Sequence, residues 1–137
     1  MSRDATEALI RRYYEAFNRG DTAGMLDCLA DDVVHDVNQG VRRSGKAQFA
    51  AFCEHMNRCY REALEDIVVM ASADGLRAAA EFNVRGTYLA TDEGLPPANG
   101  QAYMLPAGTF FAVRDGRISR VTTYYNLTDW LMQVSGP

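Results

Sequence analysis

Ile67-Val68-Val69-Met70-Ala71-Ser72-Ala73-Asp74-Gly75-Leu76-Arg77-Ala78-Ala79-Ala80 is the stretch whose reading decides the fold. Two runs of small and β-branched apolar residues flank Asp74-Gly75. An Asp-Gly pair in that setting signals a tight hairpin, because the favoured turns need residues that tolerate positive φ. The first strand is expected over residues 67–73 and a long partner over 76–89. The strand period then persists. A loop over 91–100 holds Gly94, Pro96, Pro97 and Gly100. A strand follows over 103–113, Asp115-Gly116 turns it, and a last strand runs over 117–125.

Towards the N-terminus the period becomes helical. Thr6 is placed to cap a helix whose apolar positions Leu9, Tyr13 and Phe17 recur every four residues. Asn18-Arg19-Gly20-Asp21 ends it, with Gly20 suited to a left-handed cap. A second, short helix from about residue 22 carries Met25, Leu26 and Leu29. Asp31-Asp32 hands over to the strand Val33-Val34-His35-Asp36-Val37-Asn38. Asn38-Gln39-Gly40 turns it, and Val41-Arg42-Arg43 pairs back. The strongest helical pattern covers 46 to about 64, with Phe49, Phe52, Cys53, Met56 and Tyr60 as its apolar stripe. A final short helix, capped by Asn126 or Thr128, bears Leu127, Trp130, Leu131 and Val134.

Composition narrows the function. The 137 residues fit one domain, 1–137, with a real core, and 47% apolar with 23% charged residues is ordinary for a globular protein. A net charge of −4 argues against a nucleic-acid partner, which would call for a basic face. No apolar run approaches a membrane span. Three cysteines, Cys28, Cys53 and Cys59, lack C-x-x-C spacing, so a reduced, cytoplasmic setting is expected. Only His35 and His55 could join them, with no ligand spacing, so no metal is expected.

Helices followed by consecutive antiparallel strands make an α+β layout: a cone-shaped roll of N-terminal helices on a curved, mainly antiparallel sheet. Several strand stretches are apolar on both faces, among them Ile67-Val68-Val69-Met70 and Thr109-Phe110-Phe111-Ala112-Val113. One face covers the helices. The other needs a partner, which a homodimer through the open sheet face would supply.

Within that frame Asp36 stands out. A carboxylate in a valine-rich strand resists burial, and a carboxyl forced into apolar surroundings keeps its proton longer and is a stronger base once it loses it. Alternation puts Val34, Asp36 and Asn38 on one side of the strand and Val33, His35 and Val37 on the other. Period alone buries the side that includes His35. Asp36 facing water on a half-buried strand is the plain alternative.

The order of several pieces resembles the nuclear transport factor 2-like superfamily (a cystatin-like roll), in particular its ketosteroid isomerase and SnoaL-like polyketide cyclase branches. The pieces are Tyr13 before Gly20-Asp21, then Ala30-Asp31-Asp32 and Gly45-Lys46-Ala47-Gln48-Phe49-Ala50-Ala51-Phe52. Gly86-Thr87, Gly94-Leu95-Pro96-Pro97, Asp115-Gly116-Arg117-Ile118 and Tyr124-Tyr125-Asn126-Leu127 complete them. The resemblance implies a general-base aspartate at the end of the first strand, which Asp36 matches after a one-residue deletion. Without the deletion Val37 takes the place and His35, the fallback base, shares its face. Tyr13 matches the isomerase tyrosine that donates a hydrogen bond to a developing oxyanion.

The departures are equally definite. The second, protonated acid of the isomerases falls at Gly108 or Thr109, and its supporting tyrosines fall at Leu29 and Cys53. The cyclase acid of the last strand falls at Thr123. The arginine and aspartate of the related epoxide hydrolases have no match in register near Glu81, Asn83 and Arg85, while Asn38 matches a water-orienting asparagine. Glu81, Asn83 and Arg85 read better as a ladder on the outer sheet face. The reading that follows is a small dimeric enzyme without a cofactor, transferring a proton on a small apolar carbonyl compound. Asp36 is its base, with His35 in reserve, and Tyr13 its oxyanion donor. Phe17, Asn38, Phe49, Phe52, Met56 and Tyr125 hold the substrate. The alternative is a non-catalytic binding or dimerisation module of the same fold.

Overall fold

A computed structural model of the chain describes residues 2–38 and 40–135. Helix α1 (Arg3–Asn18) starts at Ser2, whose side chain accepts from the Ala5 amide at 3.0 Å. Thr6 is therefore not the cap. Its hydroxyl is buried and donates to the Gly75 carbonyl at 2.6 Å, tying the helix to the hairpin turn. Helix α2 (Thr22–Asp27) follows, capped by Asp21. Strand β1 (Leu29–Val37) comes next, and short β2 (Arg43–Ser44) returns antiparallel to it. Gln39, in the turn expected between them, lies outside the described residues.

Helix α3 spans Lys46–Cys59 and stops well short of residue 64. Tyr60 is already extended, and β3 (Tyr60–Ala71) begins there. Arg61-Glu62-Ala63-Leu64-Glu65 favours helix by local propensity. Pairing of Tyr60 with Tyr88 and of Leu64 with Val84 overrides that preference. Asn18 fixes the course of β3 by exchanging two hydrogen bonds with the Leu64 backbone, at 2.9 and 3.0 Å. A bulge between Glu65 and Val68, with Asp66 at φ +55°, bends the strand.

Strands β4 (Arg77–Tyr88), β5 (Ala102–Arg114) and β6 (Arg117–Tyr125) complete a sheet ordered β2-β1-β6-β5-β4-β3. The pairing is antiparallel except between β1 and β6, which run parallel. Helix α4 (Leu127–Ser135) is capped by the Asn126 side chain. Its Trp130 meets Tyr60, Tyr88 and Tyr103 edge-on at 5.0–6.1 Å. It closes the fold against β3–β5.

Alternation divides the sheet. His35, Val121, Phe111 and Ala78 form one row on the concave side, where the helices pack. The next row, on the other face, runs Asp36, Thr122, Phe110, Ala79 and Met70. Glu81, Asn83 and Arg85 share that outer face, where Arg85 pairs with Glu65 at 3.0 Å and Asn83 bonds Asp66 at 3.2 Å. No helix among the described residues is long and apolar enough to cross a membrane.

Candidate functional site

Between the helices and the concave face lies a cavity of about 820 Å³. Helix α1 supplies Tyr13 and Phe17, α3 supplies Phe49, Phe52 and Met56, and β6 supplies Tyr125. His35 enters from β1 and is 4% exposed. Its ring lies 4.6 Å from that of Phe49 and 4.7 Å from that of Phe52. Tyr13 meets the same phenylalanine, with its ring 6.5 Å from that of Phe49 and 5.9 Å from that of Phe111. Imidazole and phenol thus share one apolar end of the cavity.

Two other expected site residues are elsewhere. Asp36 does not line the cavity. Its carboxylate accepts from Arg42 Nε at 2.8 Å and from Arg42 Nη2 at 2.9 Å, and from the Thr122 hydroxyl at 3.0 Å. The Arg42 hydrogen bonds outweigh the opposing effect of burial and, with smaller help from the Thr122 hydroxyl and the charges of Arg42 and Arg120, hold it below the usual carboxylate range. The expectation of a base raised by apolar surroundings is corrected by the parity of β1, which turns Asp36 outward. Asn38 is also outside the cavity. It sits at φ +45° and its side-chain oxygen accepts from the Tyr125 amide at 2.9 Å, fastening the end of β1 to β6.

The chemistry of His35 follows from its surroundings. Burial, then the positive charge of Arg43, push its pKa down to about 4, with Asp36 pulling weakly the other way. The ring is neutral at pH 7. Its Nδ1 is buried without a hydrogen-bond partner among the described residues. Such an atom is costly unless something else satisfies it. Arg43 lies over the Phe52 ring, 4.6 Å from its centroid, and so walls this end with charge. Burial holds the Tyr13 phenol well above its ordinary pKa, so it remains a donor. At the inward position where a second acid would fall, Thr109 presents a hydroxyl 3.4 Å from that of Thr123, whereas Gly108 belongs to the outer face.

The opposite end holds polar residues that sequence reasoning missed. Glu62 faces the cavity, and the Tyr103 hydroxyl donates to its carboxylate at 2.5 Å. Burial raises the Glu62 pKa and the tyrosine bond partly offsets this. Glu62 was hidden because the helical pattern ran through it. His55 lines the cavity and bonds Asp92 at 2.9 Å, while Arg58 contacts its Nδ1 at 3.0 Å. The Tyr60 hydroxyl donates to the other Asp92 oxygen at 2.7 Å. His55, Cys59 and Asp92 bring metal-type atoms within 4.8 Å of one another. With arginine on Nδ1, however, Nε2 carries the hydrogen that Asp92 accepts, and the group acts as a clasp on the loop after β4.

Comparison with known proteins fits this geometry. A SnoaL-like domain model matches residues 10–121. No curated protein matches. A solved structure of a candidate polyketide cyclase from Pseudomonas putida KT2440 is 62% identical, covers 98% of each chain and superposes with a TM-score of 0.94. A second, from Silicibacter sp. TM1040, is 60% identical over 99% of each chain, with a TM-score of 0.95. A third, from Xanthomonas campestris pv. campestris, is 58% identical over 96% of this chain and 98% of that one, with a TM-score of 0.94.

Proposed function

The chain belongs to the SnoaL-like domain family, and from that premise we propose that it is an acid–base enzyme for an apolar carbonyl compound, with His35 as proton acceptor and Tyr13 as oxyanion donor. The observation that carries this reading is a neutral imidazole at the cavity wall that shares the neighbour Phe49 with a phenol that keeps its proton. A neutral imidazole of low pKa is a weak base, so it removes a carbon-bound proton only where the resulting enolate is held. Tyr13 meets that requirement by donating to the enolate oxygen in surroundings without competing water.

The relatives named as candidate polyketide cyclases support ring closure as the use of this enolate. The C–H proton passes to His35. The enolate carbon then forms a bond to a second carbonyl carbon of the same molecule, and the imidazolium returns its proton to the new alkoxide. Deuterium exchange at the activated carbon of beta-tetralone tests the first step. Exchange catalysed by the wild type and lost in His35→Gln supports it. Tight binding of the ketone with no catalysed exchange would make the protein a binding module instead.

The assembly we infer is a homodimer through the outer sheet face. Phe110 and Tyr124 are 51% and 52% exposed there and contact each other at 6.1 Å, with Met70, Val68 and Met104 also exposed. Exposed apolar side chains gathered on one sheet face favour a covering partner. Cys28, Cys53 and Cys59 are all unpaired, which supports a reducing compartment.

A further inference from the structure

Glu62, Gly86 and Tyr103 occupy one row across three strands: Glu62 pairs with Gly86 on β4, and Gly86 with Tyr103 on β5. Each choice is locally unfavourable. Glycine weakens the interior of a strand, and a carboxyl on a concave face between Tyr60 and Leu64 is poorly solvated. Together they make sense. A Cβ on Gly86 would lie 2.2–2.4 Å from the Tyr103 ring and hydroxyl, so the missing side chain is the gap through which the phenol reaches across β4. It meets Glu62 at 2.5 Å. Local rules broken together, at a cavity wall, mark a built site rather than a packing accident.

Several neighbouring polar groups are already committed. Tyr60 and His55 hold Asp92, and the Tyr88 hydroxyl donates to the Pro96 carbonyl and accepts from the Asp92 amide. Glu62 is different. One of its oxygens accepts from Tyr103, and the other makes no hydrogen bond among the described residues and is not walled off from the cavity. Along β5, Tyr103 lies six residues from Thr109, which borders the His35 end through Thr123 and Val37. That separation is about 20 Å of extended strand, shortened by the bend of the sheet.

We propose that Glu62 and Tyr103 form a second polar anchor of the cavity, which takes a hydroxyl or carbonyl oxygen at the far end of the ligand from His35 and Tyr13. The ligand class is then an elongated aromatic or fused-ring molecule with oxygen at both ends. This rests on the proposed function for the first anchor and adds the second. Burial raises the Glu62 pKa; its free oxygen accepts from a hydroxyl, and when protonated the group donates to a carbonyl.

Calorimetric titration with matched rods tests it: para-phenylphenol against para,para-biphenol, and the corresponding terphenyl pair. The diol of at least one pair should bind the wild type about tenfold more tightly than its mono-hydroxyl partner, the worth of one added hydrogen bond. Glu62→Met should remove that preference, so that the diol binds no more tightly than its mono-hydroxyl partner. Tyr103→Phe, which keeps the ring, should reduce the preference, and serves alone if Glu62→Met does not fold. Tyr13→Phe should weaken both members of each pair alike. Equal affinity within both pairs in the wild type, or a preference undiminished in the variants, overturns the second anchor. Failure of every rod to bind overturns the proposed function instead.

Discussion

His35 and Asp36 are consecutive in the chain and face opposite sides of the sheet: the imidazole enters the cavity, and the carboxylate is clamped outside by Arg42 and Thr122. Only one of them can meet a ligand in the cavity, so their substitutions separate cleanly. Asp36→Asn should leave beta-tetralone exchange within a few-fold of wild type. His35→Gln should lower it by roughly 10²–10⁴-fold, the usual worth of a positioned base. Tyr13→Phe should cost on the order of 10²–10³-fold. Mass spectrometry of the recovered ketone measures all three, and equal loss in the Asp36 and His35 variants would reject this assignment.

Stability should also report the His35 environment. The unfolded chain binds a proton near pH 6.5 and the native imidazole only near 4. Between these values the unfolded state holds more protons, so this group's contribution is full above pH 6.5 and is lost as pH falls towards 4. The loss is at most about 3 kcal/mol. Urea unfolding at pH 7.5 and 4.5 should show a smaller drop for His35→Gln than for wild type. Glu62 has the opposite sign. Its native pKa is raised, so its contribution is full at low pH and declines as pH rises through the native value. Glu62→Gln should therefore gain stability relative to wild type between pH 4.5 and 7.5.

Gly86→Ala sets two effects against each other. Strand propensity alone favours alanine by about 0.5–1 kcal/mol. Overlap with the Tyr103 ring opposes it, and forced repacking costs about 1–3 kcal/mol. The substitution should destabilise the wild type, and the sign should reverse in a Tyr103→Leu background. A double-mutant cycle from thermal melts checks this. Destabilisation of equal size in both backgrounds would mean that the gap does not serve Tyr103.

The outer face predicts a change of mass. Phe110→Glu places a charge in the outer-face row of Met70, Ala79, Phe110 and Thr122, of which Met70 and Phe110 are exposed. Analytical ultracentrifugation should find a wild-type dimer and a variant monomer with unaltered circular dichroism. A monomeric wild type at micromolar concentration would remove the homodimer.

The hairpin at Asp74-Gly75, the order of the later strands and the aromatic wall of the cavity were legible because each rests on local period or turn chemistry. Phe17, Phe49, Phe52, Met56 and Tyr125 could be read as one surface for that reason. Parity in β1 was also present: alternation alone buries His35, and only the one-residue deletion needed for the family match favoured Asp36. Glu62 was not legible. Its segment has helical propensity, and the strand exists because residues more than twenty positions later pair with it. The Gly86 gap is likewise a fact about three strands at once, which no single stretch of sequence contains. The clasp of Asp92 by His55 and Tyr60 joins a helix, a strand and a loop, and is hidden for the same reason.

The most direct measurement is a pH titration of the His35 ring nitrogens by nitrogen-15 NMR, with and without beta-naphthol as an enolate mimic. A ring that stays neutral down to about pH 4, and whose nitrogen shifts move when the phenol binds, is the predicted result. A midpoint near the ordinary 6.5, with shifts indifferent to the ligand, would mean that this imidazole is neither buried nor in reach of a substrate.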